Sequence, residues 1–279
     1  MSRASRFGRG LGALALGLVV ALGTGCSYLT ERQGELIFRP TKETWWGFNG
    51  GQYAYDEHWI PVGANGDKLA AWWIKSDQPE APVLLYLHGA RWNLSGSVTR
   101  IDRWRKLGFS VLAIDYRGFG KSTNVSPSES LSYEDAEAGW DYLAKLAPGK
   151  PRFVVGHSLG GAIAVEVARR RPEAAGVVLE ATFTSIREML DHSAWGYLPV
   201  GLILNQEFDA LAKIGEIRAP ILITHGTDDH VVPFEMGEKL YAAATAKKRF
   251  IRVEGGTHHN LSAIAFDDYR RAILELFVP

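Results

Sequence analysis

The sequence predicts an α/β fold, a mostly parallel central sheet with helices on both faces. Two observations carry this expectation. From about residue 53 short apolar runs alternate with helix-length amphipathic segments. Most of those runs are apolar throughout instead of alternating, as strands covered on both faces must be.

The elements follow in order. "LAAWWIK", "PVLLYLH", "SVLAID", "RFVVG", "GVVLE", "PILITHG" and "KRFIRVEG" read as strands. They are rich in β-branched and aromatic residues and are bounded by Gly, Pro or Asp. Trp72 and Trp73 are adjacent, so they point to opposite faces of their strand and read as core on both. Trp45 and Trp46, by contrast, suit a membrane interface. Between the strands, "SGSVTRIDRWRKLG" puts Val98, Ile101, Trp104 and Leu107 on one helical face. "SYEDAEAGWDYLAKLAPG" is a second helix, ended by Pro-Gly. In such a sheet, ligands meet the loops at the C-terminal ends of the strands.

Composition limits the function classes. The 279 residues are 46% hydrophobic and 22% charged, and 31 basic residues balance 31 acidic ones. No general field therefore draws nucleic acid to the surface. There are no internal repeats and nothing suggests a second globular unit. Cys26 is the only cysteine, which excludes an intramolecular disulfide.

The first 25 residues read as an export signal. Arg3, Arg6 and Arg9 precede the uncharged run "LGALALGLVVALGTG", which is too short and glycine-rich for a good spanning helix. "ALGTGCS" resembles the lipobox of bacterial lipoproteins, with Thr24 and Gly25 suiting the pattern and Gly23 standing where leucine is usual. The resemblance implies a lipid anchor on Cys26 and a place on the membrane of a bacterial cell envelope. A plain signal peptide and a periplasmic or secreted protein is the alternative. Residues 26–52 show no sustained period and read as a tether packing along the domain at 53–279.

Chemistry enters at "FVVGHSLGGAIAVEVARR". Gly156, Ser158 and Gly160 spell G-x-S-x-G between a strand and a helix, the context of a nucleophile elbow. An idle serine in a glycine-rich turn is the bland alternative. A serine hydroxyl at neutral pH is a poor nucleophile, so the elbow demands a base and a group to orient it, in the order Ser, acid, His.

Both follow on later loops. "HGTDDHVVP" offers Asp228 and Asp229, and "VEGGTHHNLS" offers His258 and His259. Here the chain resembles the α/β-hydrolase superfamily, whose members often carry H-G-x-x-D-x-x-V-P and then G-x-H with Asn or Asp. Aligned on His225, Gly226, Val232 and Pro233, the resemblance implies Asp229 as the acid, leaving Asp228 as a turn residue. It also favours His258 as the base, although the residues alone do not separate His258 from His259. His230 falls within the acid loop. A metal held by these aspartates and histidines fits less well, because there is no H-E-x-x-H helix and no cysteine ligand. The reading needs no cofactor.

An oxyanion hole for this elbow uses the N–H after the nucleophile, Leu159, and one after the third strand, Ala90. The chain departs there from the frequent H-G-N-A-G-N form, with Ala90, Arg91 and Trp92 following His88-Gly89. Arg91 is a candidate for reaching an anionic or carbonyl group. "DYRGFGKS" also recurs in the superfamily and reads as a structural loop turned by Gly118 and Gly120, with Tyr116 a candidate for the acyl pocket. It does not match a phosphate-binding loop. Residues 183–216 fall where the superfamily places its lid, and their apolar middle includes Trp195, a candidate pocket residue.

The small lid and the N-terminus look most like membrane-associated esterases and thioesterases. That resemblance implies hydrolysis of an ester or thioester with an apolar acyl part. The alternatives are an aminopeptidase-like amidase of the same fold, or a non-catalytic envelope binding module.

Overall fold

The protein is described from a computed structural model, which covers residues 32–50, 54–192 and 204–277. An eight-stranded sheet runs in the order β1-β2-β4-β3-β5-β6-β7-β8. Its strands are β1 (Asp56–Val62), β2 (Asp67–Ile74), β3 (Val83–Leu87), β4 (Ser110–Ile114), β5 (Arg152–His157), β6 (Gly176–Glu180), β7 (Ile221–Gly226) and β8 (Lys248–Val253). β1, β2 and β4 pair antiparallel; from β4 to β8 every pair is parallel.

The seven strands expected from sequence are all present. β1, "DEHWIPV", was not among them. It is an edge strand with alternating exposure and a proline, a weaker signal than the continuous apolar runs. The alternation of side chains across the other strands builds two cores. Leu85, Val154 and Val177 face one side, where α3 (Glu129–Leu146), α4 (Leu159–Arg170), α6 (Ala210–Ile214) and α7 (Phe234–Ala243) pack. Leu84, Val155 and Val178 face the other, under α2 (Leu94–Lys106), α8 (Leu261–Ile264) and α9 (Phe266–Phe277). Trp73 lies in the first core and Trp72 in the second, the opposite faces that their adjacency predicts.

Helix starts follow their caps. Asn93 accepts from Ser95 N at the head of α2, and Ser128 from Leu131 N at the head of α3. The short helix α5 (Ile186–Asp191) is capped by Ser185, whose hydroxyl accepts from Glu188 N.

Within the segment read as a tether, residues 32–38 form a helix, α1. Its last residue, Phe38, is fully buried against the rings of Phe119 and Phe208. Residues 32–38 therefore pack into the body of the domain. Among the described residues no helix is long and apolar enough to cross a membrane. Cys26 and Trp195 lie outside the described residues, as do 193–203 of the lid segment.

Candidate active site

The turn between β5 and α4 is tight because its glycines leave no alternative. A Cβ on Gly156 would collide with the carbonyl of Gly160, and one on Gly160 with the carbonyl of Leu87 in β3. Ser158 between them has φ 55° and ψ −119°, a conformation that costs a non-glycine residue on the order of 1–3 kcal/mol. The turn is held by Ser158 N–H donating to Glu180 O at 2.8 Å and Gly161 N–H donating to Ser158 O at 2.9 Å. Leu159 opens α4, so its N–H has no acceptor within the helix.

The loop after β3 comes close to this turn. A Cβ on Gly89 would lie 3.2 Å from both Ser158 Cβ and His157 Nδ1. Ala90 and Ser158 line one cavity. The loop is braced from two sides. Arg91 N–H donates to Phe38 O at 2.7 Å, and the Tyr116 hydroxyl donates to His88 O at 3.1 Å. Tyr116 is thus a correction to the sequence reading: it is buried in the core behind the loop and does not line the cavity. "DYRGFGKS" otherwise serves as scaffold. Asp115 Oδ1 accepts from Leu94 N at the start of α2, and a Cβ on Gly120 would collide with the Asp115 carboxylate.

The acid and histidine loops are zipped together at the ends of β7 and β8. Thr227 N–H donates to Val253 O at 3.0 Å and Asp228 N–H to Gly256 O at 2.9 Å. Asn260 Oδ1 accepts from Thr257 N at 2.7 Å, which accounts for an asparagine after the two histidines. This brings Asp229 Oδ2 to 2.8 Å from His258 Nδ1. Asp229 Oδ1 accepts from Val231 N at 2.8 Å and from Val232 N at 2.9 Å. Burial by itself would raise the Asp229 pKa. The bonds from His225, His258 and the backbone outweigh burial and hold the carboxyl well below the usual carboxylate range. With Nδ1–H on Asp229, His258 is left with Nε2 as its free lone pair.

The neighbouring candidates are placed differently, although His259 also lines the cavity. Asp228 and His230 are exposed, and His259 Nδ1 meets Arg100 at 3.3 Å. Among the described residues no group of three or more His, Cys, Asp or Glu is placed to hold a metal ion.

Sequence reasoning missed several residues. His157, inside the motif itself, donates from Nε2 to His258 O at 2.8 Å and so pins the histidine loop to the elbow. Burial, followed by the positive charges of Arg100 and His258, pushes its pKa well below the imidazole range, so it stays neutral. The shared cavity, of about 600 Å³, is walled by Leu36 and Ile37 of α1, by Phe183, Ile186, Met189 and Leu190, and by Val231 and Val232. Ser158, Leu159, His258, Ala90 and Arg91 all line it.

Comparison with known proteins agrees with the fold. The family model described as "Serine aminopeptidase, S33" matches residues 78–204. The lysophosphatidylserine lipase ABHD12 of Danio rerio is 34% identical over 215 residues, 68% of this chain and 55% of that protein. The chain thus spans little more than half the length of that relative. The uncharacterized protein Rv2307c of Mycobacterium tuberculosis is 30% identical over 97% of both chains. Among solved structures, the Pyrococcus furiosus esterase Pf2001 superposes with a TM-score of 0.68 at 19% identity, over 85% of this chain and 95% of that one. Est1E from Butyrivibrio proteoclasticus gives 0.65 at 20% identity, over 80% and 100%. Strand order and relatives at 30% identity or more, one of them matched along nearly the whole length, lead to one assignment: the chain belongs to the α/β-hydrolase superfamily.

Proposed function

We propose that the protein hydrolyses carboxylic esters, or thioesters, carrying one apolar acyl chain, through an acyl-enzyme on Ser158. One observation carries this reading. The strained Ser158 turn and the Asp229-bound imidazole of His258 open onto the same apolar-walled cavity. Its volume of about 600 Å³ lies in the usual range for small-molecule sites. The Danio rerio relative, a lysophosphatidylserine lipase, supports the same class.

The chemistry follows from the atoms. Ser158 Oγ attacks the ester carbonyl carbon while its proton passes to His258 Nε2. The carbonyl oxygen, now negative, is held by the N–H groups of Ala90 and Leu159. Asp229 keeps the imidazole in the tautomer that accepts at Nε2 and stabilises the imidazolium that forms. As the C–O bond to the alcohol breaks, His258 returns the proton to the leaving oxygen. Water, deprotonated by the same Nε2, then releases the acid. The description of the family model favours a peptide or amide as a second reading. Against it, none of the described residues lining the cavity is a carboxylate that could hold a substrate amine.

A p-nitrophenyl ester series of increasing acyl length tests the class. Turnover is expected to rise from acetate to a medium-chain optimum set by the apolar wall. A rate that falls steadily from acetate, or cleavage confined to aminoacyl amides, contradicts the reading.

The N-terminal signal and Cys26 support a lipid-anchored protein of the bacterial envelope. The mature protein should then begin at Cys26 and carry the mass of its acyl chains. An unmodified cysteine or a retained signal contradicts it.

A further inference from the structure

The cavity that holds Ser158 is lined by two arginines and, among the described residues, by no acidic side chain. Arg39 and Arg91 both line it, and they come from distant parts of the chain. The bond from Arg91 N–H to Phe38 O sets their backbones side by side. Both residues are left-handed, with φ 48° for Arg39 and 61° for Arg91, which favours glycine or asparagine over arginine.

Arg39 and Arg91 are both exposed, and two more deeply buried arginines show the contrasting arrangement. Arg117 is surrounded by Asp67, Glu134 and Asp135, and Arg171 by Glu137 and Asp141. Neither the Arg39 nor the Arg91 guanidinium has a hydrogen-bond or ion-pair partner among the described residues. Among the described residues no aspartate or glutamate lines the cavity. Glu35, one turn before Arg39, is engaged by Arg32. The positive character of the rim reaches His259, whose pKa is lowered to about 4 by burial first and then by His258, Arg100 and Arg91, against the pull of Asp229.

We infer that Arg39 and Arg91 form an anion subsite at the cavity mouth, selecting esters whose alcohol part carries a phosphate or a carboxylate. The inference rests on the ester reading above. The apolar wall takes the acyl chain, so the charge belongs to the other side of the scissile bond. A guanidinium offers paired N–H donors to either oxyanion, and two arginines lining one cavity suit a group with several oxygens.

The test compares kcat/KM of the full chain, in neutral detergent, for monoacyl esters of glycerol, glycerol phosphate and glyceric acid. The wild type should prefer at least one charged ester by about tenfold or more, as expected for a charged hydrogen bond. Whether phosphate or carboxylate is preferred identifies the natural anion. In the Arg39→Gln/Arg91→Gln double variant the charged-to-neutral ratio should fall toward one, chiefly through KM. Lysine at both positions should restore part of it, and added salt should erode the wild-type preference. A wild type with no preference, or a ratio that survives both glutamines, overturns the subsite.

If none of the three esters is cleaved, the ester reading fails and the subsite is judged separately. Ser158→Ala protein is then titrated calorimetrically with monoacyl glycerol phosphate and with monoacylglycerol. Tighter binding of the phosphate, lost with the two glutamines, supports the subsite; equal binding of the two overturns it.

Discussion

Replacing Ser158 by alanine is expected to lower kcat for a good p-nitrophenyl ester by on the order of 10⁶, with KM little changed. The size of the loss follows from the division of labour. Without Oγ there is no acyl-enzyme, and the ester must be attacked directly by water. A residue of roughly 10³ over the uncatalysed rate should persist, from the N–H groups of Ala90 and Leu159 and from binding. The variant should fold with stability close to wild type, because alanine keeps the same Cβ in the turn and Ser158 makes its backbone bonds through N and O. Comparing the two proteins by thermal unfolding and by rate separates loss of chemistry from loss of structure. A variant retaining more than a hundredth of wild-type turnover would remove Ser158 from the mechanism.

Asp229→Asn should cost on the order of 10⁴ in kcat while leaving the fold in place. The asparagine oxygen can still accept from Val231 and Val232 N, so the acid loop keeps its shape. The amide nitrogen then faces His258 Nδ1 as a donor, which forces the proton onto Nε2, where it blocks acceptance from the serine. Asp228→Asn is the matched control, since Asp228 is exposed, its backbone N–H donates to Gly256 O, and the asparagine oxygen can still accept from Thr227 Oγ1. Its rate should stay within about twofold of wild type. Equal losses in the two variants would mean that the loop, and not the carboxylate, matters. The rates are measured between pH 6 and 9 so that a shifted optimum is not mistaken for lost turnover.

The parts of the site that were legible in the sequence are those encoded by short contiguous strings. The strand, the glycines and the helix around Ser158 all lie within "FVVGHSLGGAIAVEVARR", and their geometry follows from local sterics. The adjacent aspartates and adjacent histidines were ambiguous for the opposite reason. One bond across two loops, His258 Nδ1 to Asp229 Oδ2, distinguishes them in space, and no property of the single residues does. Tyr116 was misread because an aromatic residue beside a site loop looks like a pocket wall; its hydroxyl instead braces the back of that loop.

The cavity wall was the least legible part. Leu36 and Ile37 belong to a helix of residues 32–38, too short to display a helical period, and its packing depends on Phe38 reaching two distant phenylalanine rings. The partnership of Arg39 with Arg91 depends on a backbone bond between segments that share no pattern. The edge strand β1 was hidden by its own exposure, since a half-solvated strand with Pro61 lacks the apolar run that marked the others.

The most direct measurement of the central claim is the intact mass of the protein during turnover of a slow ester, quenched in acid within the first cycles. The account predicts a burst of alcohol equal to the enzyme present and one added acyl group, mapped to the peptide containing Ser158. Steady hydrolysis with no burst and no adduct, or an acyl group on any other residue, would contradict it.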